Sequence, residues 1–238
     1  MKRIFDPLLA ALCLGVAIYA IVAYSALPLG TVLHPDIRAS FAAHHVVVVY
    51  LHVFGAAVAL LLGPLQFWPA LRAHWPRLHR WLGGAYLAAG VGVGGLSGLA
   101  LSLNAYGGTV ARAGFATLAV LWMATGIVAL QRIRRGDVPG HRRWMMRNFA
   151  LTLAAVGLRL YLPASMLGGL PLEVAYPAVA WLCWVPNLVA AEWLLGRHRD
   201  GNAAAKRESP MHPPSCVGDA TPRRSGRWPG ACHLGADP

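Results

Sequence analysis

The chain has 238 residues, of which 57% are hydrophobic and only 13% charged, with a formal net charge of +12. Soluble domains carry about 25% charged residues, so over much of this chain the solvent must be lipid. The composition excludes a wholly disordered chain, a coiled coil and a disulfide scaffold, and points to an all-α polytopic membrane bundle.

Crossing a hydrocarbon core of about 30 Å takes about 20 apolar residues in a helix. Six stretches qualify: Leu8–Ala26, Val46–Trp68, Leu82–Leu103, Ala113–Leu130, Met145–Met166 and Val174–Leu195. Their connections alternate between two sides. One side holds eleven Lys and Arg, from Lys2 and Arg3 through Arg72, Arg77 and Arg80 to Arg142, Arg143 and Arg147; the other holds two, Arg38 and Arg112. Positive residues stay cytoplasmic, so both termini are expected inside a bacterial inner membrane. The basic charge is a topology signal and no pointer to nucleic acid.

Lys2-Arg3 before an apolar run resembles a signal peptide, and Ala23-Tyr24-Ser25 resembles a cleavage site. The apolar run exceeds the usual core of about 7–15 residues, so an uncleaved anchor is expected. Residues 1–195 then form the membrane domain. Residues 196–238, with six prolines, seven Lys and Arg and four Asp and Glu, read as a disordered basic cytoplasmic tail. Cys13 and Cys183 fall in different spans, while Cys216 and Cys232 fall in the tail with His212 and His233 at no familiar zinc spacing. No metal-ion site is expected.

Polar residues that recur on one helix face mark the side turned toward protein. In the second span His45, His52, Ala59 and Gln66 recur every seven residues. In the third, His79, Gly83, Tyr86, Gly90, Gly94 and Ser97 share a face, and Gly90, Gly94 and Gly98 make a doubled GxxxG that suits close helix packing. In the fifth, His141, Asn148, Thr152, Ala155 and Arg159 line up. The sixth carries Trp184 and Asn187 on one face and Trp181, Val185, Leu188 and Glu192 on another, with Pro186 freeing the Leu182 carbonyl and bending the helix. The first and fourth spans show no such stripe. A four-helix core of spans two, three, five and six around a polar interior is therefore expected, with one and four outside.

Two candidate sites follow. At ~1.5 Å per residue, Arg159 lies about 10 Å and His52 roughly 9–12 Å below the outer boundary. A charged arginine at mid-membrane costs at least ~2.5–3.5 kcal/mol, less toward the edge, so it needs a partner or water. Either it snorkels outward to Glu173 or headgroups, or it lines an outer pocket with His52, Tyr161 and Asn187 that receives an anionic or carbonyl-bearing ligand. On the inner side, Pro76-Arg77-Leu78-His79-Arg80-Trp81 echoes Pro139-Gly140-His141-Arg142-Arg143-Trp144. Both histidines open an outward-running helix, where the partial positive charge favours a neutral ring. Two neutral histidines on separate helices at one depth suit haem b, with Gln66, Arg147, Asn148 and Glu192 as surrounding polar groups. The alternative is headgroup contact by interfacial histidines among arginines.

The set Gly63-Pro64-Leu65-Gln66-Phe67, Arg72, His79-Arg80, Gly83, Tyr86 and His141-Arg142-Arg143-Trp144-Met145, continued by Arg147, Arg159, Trp181, Trp184, Asn187 and Glu192, resembles a bacterial family of multi-span membrane proteins, domain-of-unknown-function family 2306. The resemblance runs from about His44 to Leu195 and implies an arginine where this chain has Gly84. It implies no reaction, cofactor or catalytic residue. A fainter likeness to b561-type membrane cytochromes stops at the histidine pairs, since no second helix offers His52 a partner.

Three functions remain open: a redox component with haem b and a quinone, a transporter or binder of a small molecule or anion without cofactor, and a structural or assembly subunit whose basic loops meet a partner or anionic headgroups. Whether the chain is an enzyme stays open as well. Nucleophilic catalysis has little support, because no Ser or Cys sits suitably with a His and an acid, and P-loop and HExxH patterns are missing.

Overall fold

A computed structural model of the chain describes residues 7–28, 31, 34–42 and 46–208, with 41, 42 and 198–208 as backbone alone. Among them, six helices are long and apolar enough to cross a membrane: Pro7–Ala26, Val46–Gln66, Pro76–Ser102, Gly108–Arg134, Val138–Leu167 and Leu172–Arg197. These are the six expected spans, and the protein is an all-α polytopic bundle. Spans three and five begin about two turns earlier than their apolar runs because each has a proline, Pro76 or Pro139, in its first turn, where the fixed φ suits the helix. Asp137 caps the start of span five, accepting a 2.8 Å hydrogen bond from the Gly140 N–H. Short helices Pro35–Ala42 and Pro69–His74 fill the first two connections.

Three spans depart from a plain α-helix, each for a local reason. In span three, Tyr86–Val93 winds as a π-helix, glycine-rich at its far end. Span five breaks at Leu153, between helices Val138–Thr152 and Ala154–Leu167. There the Thr152 hydroxyl, 3.1 Å from the Asn148 carbonyl, shares its one proton between that carbonyl and the Tyr86 oxygen, and such a back-contact bends helices. Span six breaks at Cys183–Trp184, one turn before Pro186, as the missing proline N–H requires.

Span two packs on spans one and three, span three on four, span four on five and six, and span five back on one and two. The glycine stripe is the seam between spans two and three. A Cβ at Gly55 would meet the Gly94 backbone at 2.9 Å, and one at Gly90 would meet Ala59 at 2.9 Å. A second seam joins the two broken helices, where a Cβ at Gly157 would lie 2.7 Å from the Cys183 carbonyl oxygen.

The polar interior has one member the sequence did not announce. Span four was expected outside, yet Ala119, Trp122, Thr125, Gly126 and Ala129 of its inner face are buried. Trp122 and Thr125 satisfy polar groups of Asn148 and Thr152 in span five, which draws span four inward. The last helix runs on to Glu208, so the expected start of the tail at 196 falls inside a helix; Ala203-Ala204-Ala205-Lys206-Arg207 are strong helix formers. Of the described residues, those up to Arg199 form one compact unit, and Asp200–Glu208 lie outside it. The tail positions His212, Cys216, Cys232 and His233, like His45, lie outside the described residues.

Candidate functional site

The six spans divide the molecule into a basic end, bearing Arg72, Arg80, Arg132 and Arg142, and an opposite end near Arg38 and Arg112. A cavity of about 170 Å³ lies in the half toward the opposite end, walled by spans two to six. Its walls are mostly apolar, with Phe115, Leu118, Leu151 and Leu158 among them, and its polar points are His52, Ser102, Thr152, Arg159 and Tyr176. A larger hollow of about 550 Å³ adjoins it and shares His52, Val53, Leu101, Leu158, Arg159 and Tyr176.

His52 is held from one side. Its Nδ1 lies 2.9 Å from the Gly94 carbonyl oxygen. A carbonyl only accepts, so Nδ1 carries the proton and Nε2 keeps a lone pair in the neutral ring. The ring rests on Gly98, where a Cβ would come within 2.8 Å of it. Gly98, read in sequence as packing alone, thus also seats the histidine. The seat follows from the end of the π-helix, since Gly94, whose carbonyl fixes His52, is the residue whose N–H caps that wide turn.

Arg159 does not snorkel to Glu173. Its Nη1 donates 3.0 Å to the Ala155 carbonyl, one turn back along its own helix and away from the near membrane face. Among the described residues its guanidinium has no carboxylate within ion-pair distance, and neither hollow has an Asp or Glu in its lining. A permanent cation therefore sits on the wall of a largely apolar cavity with its charge uncompensated. Of the other expected pocket members, Tyr161 is 39% exposed and outside both linings. Asn187 also lines neither hollow, and its Nδ2 is spent on the Cys183 carbonyl at 2.9 Å.

Below the cavity lies a closed ring of hydrogen bonds. Trp122 Nε1 donates to Thr152 Oγ1 at 2.9 Å, Thr152 and Tyr86 share a 2.7 Å bond, Tyr86 donates to Asn148 Oδ1 at 2.7 Å, and Asn148 Nδ2 returns to the Trp122 carbonyl at 2.7 Å. Thr125 Oγ1 takes a further bond from Asn148 at 2.9 Å. Trp122 and Thr152 also line the cavity, so the ring forms its floor. Sequence reasoning missed Trp122, Thr125 and Tyr176. The spacing Ala119, Trp122, Gly126, Ala129 was the available signal for the first two.

At the basic end, His79 and His141 stand on spans three and five, seven residues before Tyr86 and Asn148. His141 Nδ1 lies 2.9 Å from the Ala129 carbonyl, leaving Nε2 free. His79 Nδ1 and Gln66 Nε2 are buried without a hydrogen-bond partner, and Gln66 packs on Gly83. The remaining polar groups are committed elsewhere: Asn148 to the ring, and Arg147 to Glu192 through a two-pronged ion pair, with its guanidinium 4.7 Å over the Trp144 ring. Among the described residues no three His, Cys, Asp or Glu gather as a metal-ion site.

Six apolar helices around a buried polar ring and a cation-lined cavity define a polytopic membrane protein of the helix-bundle class. Residues 49–195 match the model of a family described as Predicted membrane protein (DUF2306), and the chain belongs to that family. No curated protein and no solved structure matches it.

Proposed function

We propose that the protein binds a lipid-soluble molecule whose head carries a carbonyl or a negative charge, with Arg159 holding that head and His52 beside it. The uncompensated Arg159 guanidinium on the cavity wall carries this reading. In a low-dielectric site an accepting head offsets a charge that otherwise destabilises the fold, and the protonated His52 Nδ1, tied to Gly94, leaves Nε2 to meet a head that donates. A quinone fits the apolar walls and accepts from Arg159, and its quinol form can also donate to His52 Nε2, which would make the protein a membrane redox component; an anion carrier or binder uses the Arg159 donor alone. The test is equilibrium binding of a decyl-substituted benzoquinone and of dodecanoate to purified protein. Arg159→Gln should weaken whichever binds by tenfold or more, and unchanged binding of both would sink the reading.

A second reading concerns the basic end. The donor set there fits haem b: His141 has its Nδ1 anchored to a backbone carbonyl, the usual support for a ligating imidazole, and His79 has a buried ring nitrogen still without a partner. Haem held between them would supply one-electron transfer, and these two side chains would bind and orient it. The same end bears the excess of arginine, which supports a cytoplasmic location for it and for both termini in a bacterial inner membrane, and contact with anionic headgroups through exposed Arg142 and Arg143. A structural or assembly role would rest on the same basic surface and has no further observation in its favour.

A further inference from the structure

The larger hollow beside the cavity has a rim with a particular position. Gly15 and Tyr19 of span one form one side, and Leu160 and Pro163 of span five form the other. All four are exposed on the flank of the bundle, with Tyr19 at 49% and Leu160 at 48%. Tyr19 stands seven residues from the end of its helix at Ala26, and Leu160 seven from the end of its helix at Leu167. At ~1.5 Å per residue both lie about 10 Å inside the span ends. A rim at that depth meets acyl chains rather than water.

We propose that the cavity opens sideways into the bilayer between spans one and five, and that its ligand is an amphiphile drawn from the lipid phase. The head, a carboxylate or a quinone carbonyl, accepts from Arg159 next to His52, and the alkyl or isoprenoid tail stays in the mouth. This rests on the reading of the cavity as a binding site and adds to it the ligand's class and route. Arg159 and His52 line both hollows, so a head in contact with them has its tail side facing the rim. Span one lies outside the matched stretch 49–195. The span-one side of the mouth, Gly15 and Tyr19, is therefore set by residues outside that stretch. A Cβ at Gly15 would meet nothing within 4 Å, so a substitution there starts without a backbone clash and is expected to narrow the mouth.

The test uses the full chain in phosphatidylcholine nanodiscs and two probes with one head, 2,3-dimethoxy-5-methylbenzoquinone with and without a decyl tail, repeated with dodecanoate and acetate. The quantity read is the ratio of tailed to tail-less affinity. The wild-type ratio should be at least tenfold above that expected from partition into lipid alone, and Gly15→Trp should lower it tenfold. Leu160→Trp, on the opposite and equally exposed rim, should do the same and guards against a folding defect in the first variant. Arg159→Gln should weaken both probes and hold the ratio. An unchanged ratio in both tryptophan variants, with Arg159→Gln still weakening both probes, overturns the lipid-side mouth and leaves the cavity reading standing. Binding indifferent to Arg159→Gln overturns the cavity reading, and the mouth with it. Preference for the quinone pair or for the acid pair identifies the head.

Discussion

The Tyr86 hydroxyl donates to Asn148 Oδ1 across spans three and five at 2.7 Å, and both residues are fully buried. The two spans run in the same direction from the basic end, so this bond fixes their relative height. It thereby sets His79 level with His141, seven residues before each partner, and supports the floor under the Arg159 cavity. One buried contact thus aligns two candidate sites.

Removing that hydroxyl should be felt as stability. Tyr86→Phe leaves Asn148 Oδ1 without its donor in a dry interior, which costs about 1–2 kcal/mol, in the upper range measured for hydrogen bonds between membrane helices. Unfolding in mild detergent should shift accordingly, and Asn148→Ala in the Tyr86→Phe background should add less than it does alone. Full additivity would deny the ring its coupling.

Gly98→Ala should act on His52 rather than on the fold. The added methyl would lie 2.8 Å from the imidazole, so the ring must turn away from the Gly94 carbonyl. Overpacking of this kind costs about 1–3 kcal/mol, and ligand affinity should fall several-fold in protein that still purifies as a single species. Gly55→Val is the contrast: its Cβ meets backbone of span three at 2.9 Å, and no side chain can give way. That variant should fail to yield folded protein.

The cap of span five should give a pH signature. The Gly140 N–H, and after it Arg132, hold the Asp137 carboxyl below its ordinary range. Its folded value is depressed, so the contribution is present above the ordinary carboxylate value of about 3.9 and is lost as pH falls through the folded value. Asp137→Asn should flatten the acid limb of the stability profile below about pH 4. Identical limbs in wild type and variant would contradict the assignment.

If haem b is held at the basic end, the purified protein shows a Soret band that either His79→Ala or His141→Ala abolishes. His52→Ala should spare it, since that ring is fixed to Gly94 in the other half of the bundle. Protein that stays colourless after expression with ample haem precursor removes the second reading.

The proposed orientation rests on the arginines. A reporter fused after Leu195 should be active only in its cytoplasmic form. Activity of a periplasmic reporter at that position would invert the bundle.

What the sequence determined by itself was everything that depends on hydrophobicity along one helix. The six spans, the faces carrying His52, Asn148 and Arg159, and the bend before Pro186 were all legible, because the apolar run, the period of about 3.6 and the missing proline N–H are local properties. The family likeness was legible on the same ground, as motifs in order along the chain.

What only the tertiary structure decided concerns which helix supplies the partner for a buried polar group. Span four lacks a polar stripe, yet its Trp122 carbonyl and indole close the ring with Asn148 and Thr152; a backbone carbonyl carries no sequence signal. Tyr161 and Arg159 stand two residues apart, about 200° around the helix, and only packing chose which of them faces the cavity. The direction of the Arg159 side chain was likewise undetermined, since snorkelling to Glu173 and turning back to Ala155 use the same residues. The choice fell inward because the glycines of span three and the breaks in spans five and six leave a space there for its guanidinium to border, and that space exists only once five helices have met.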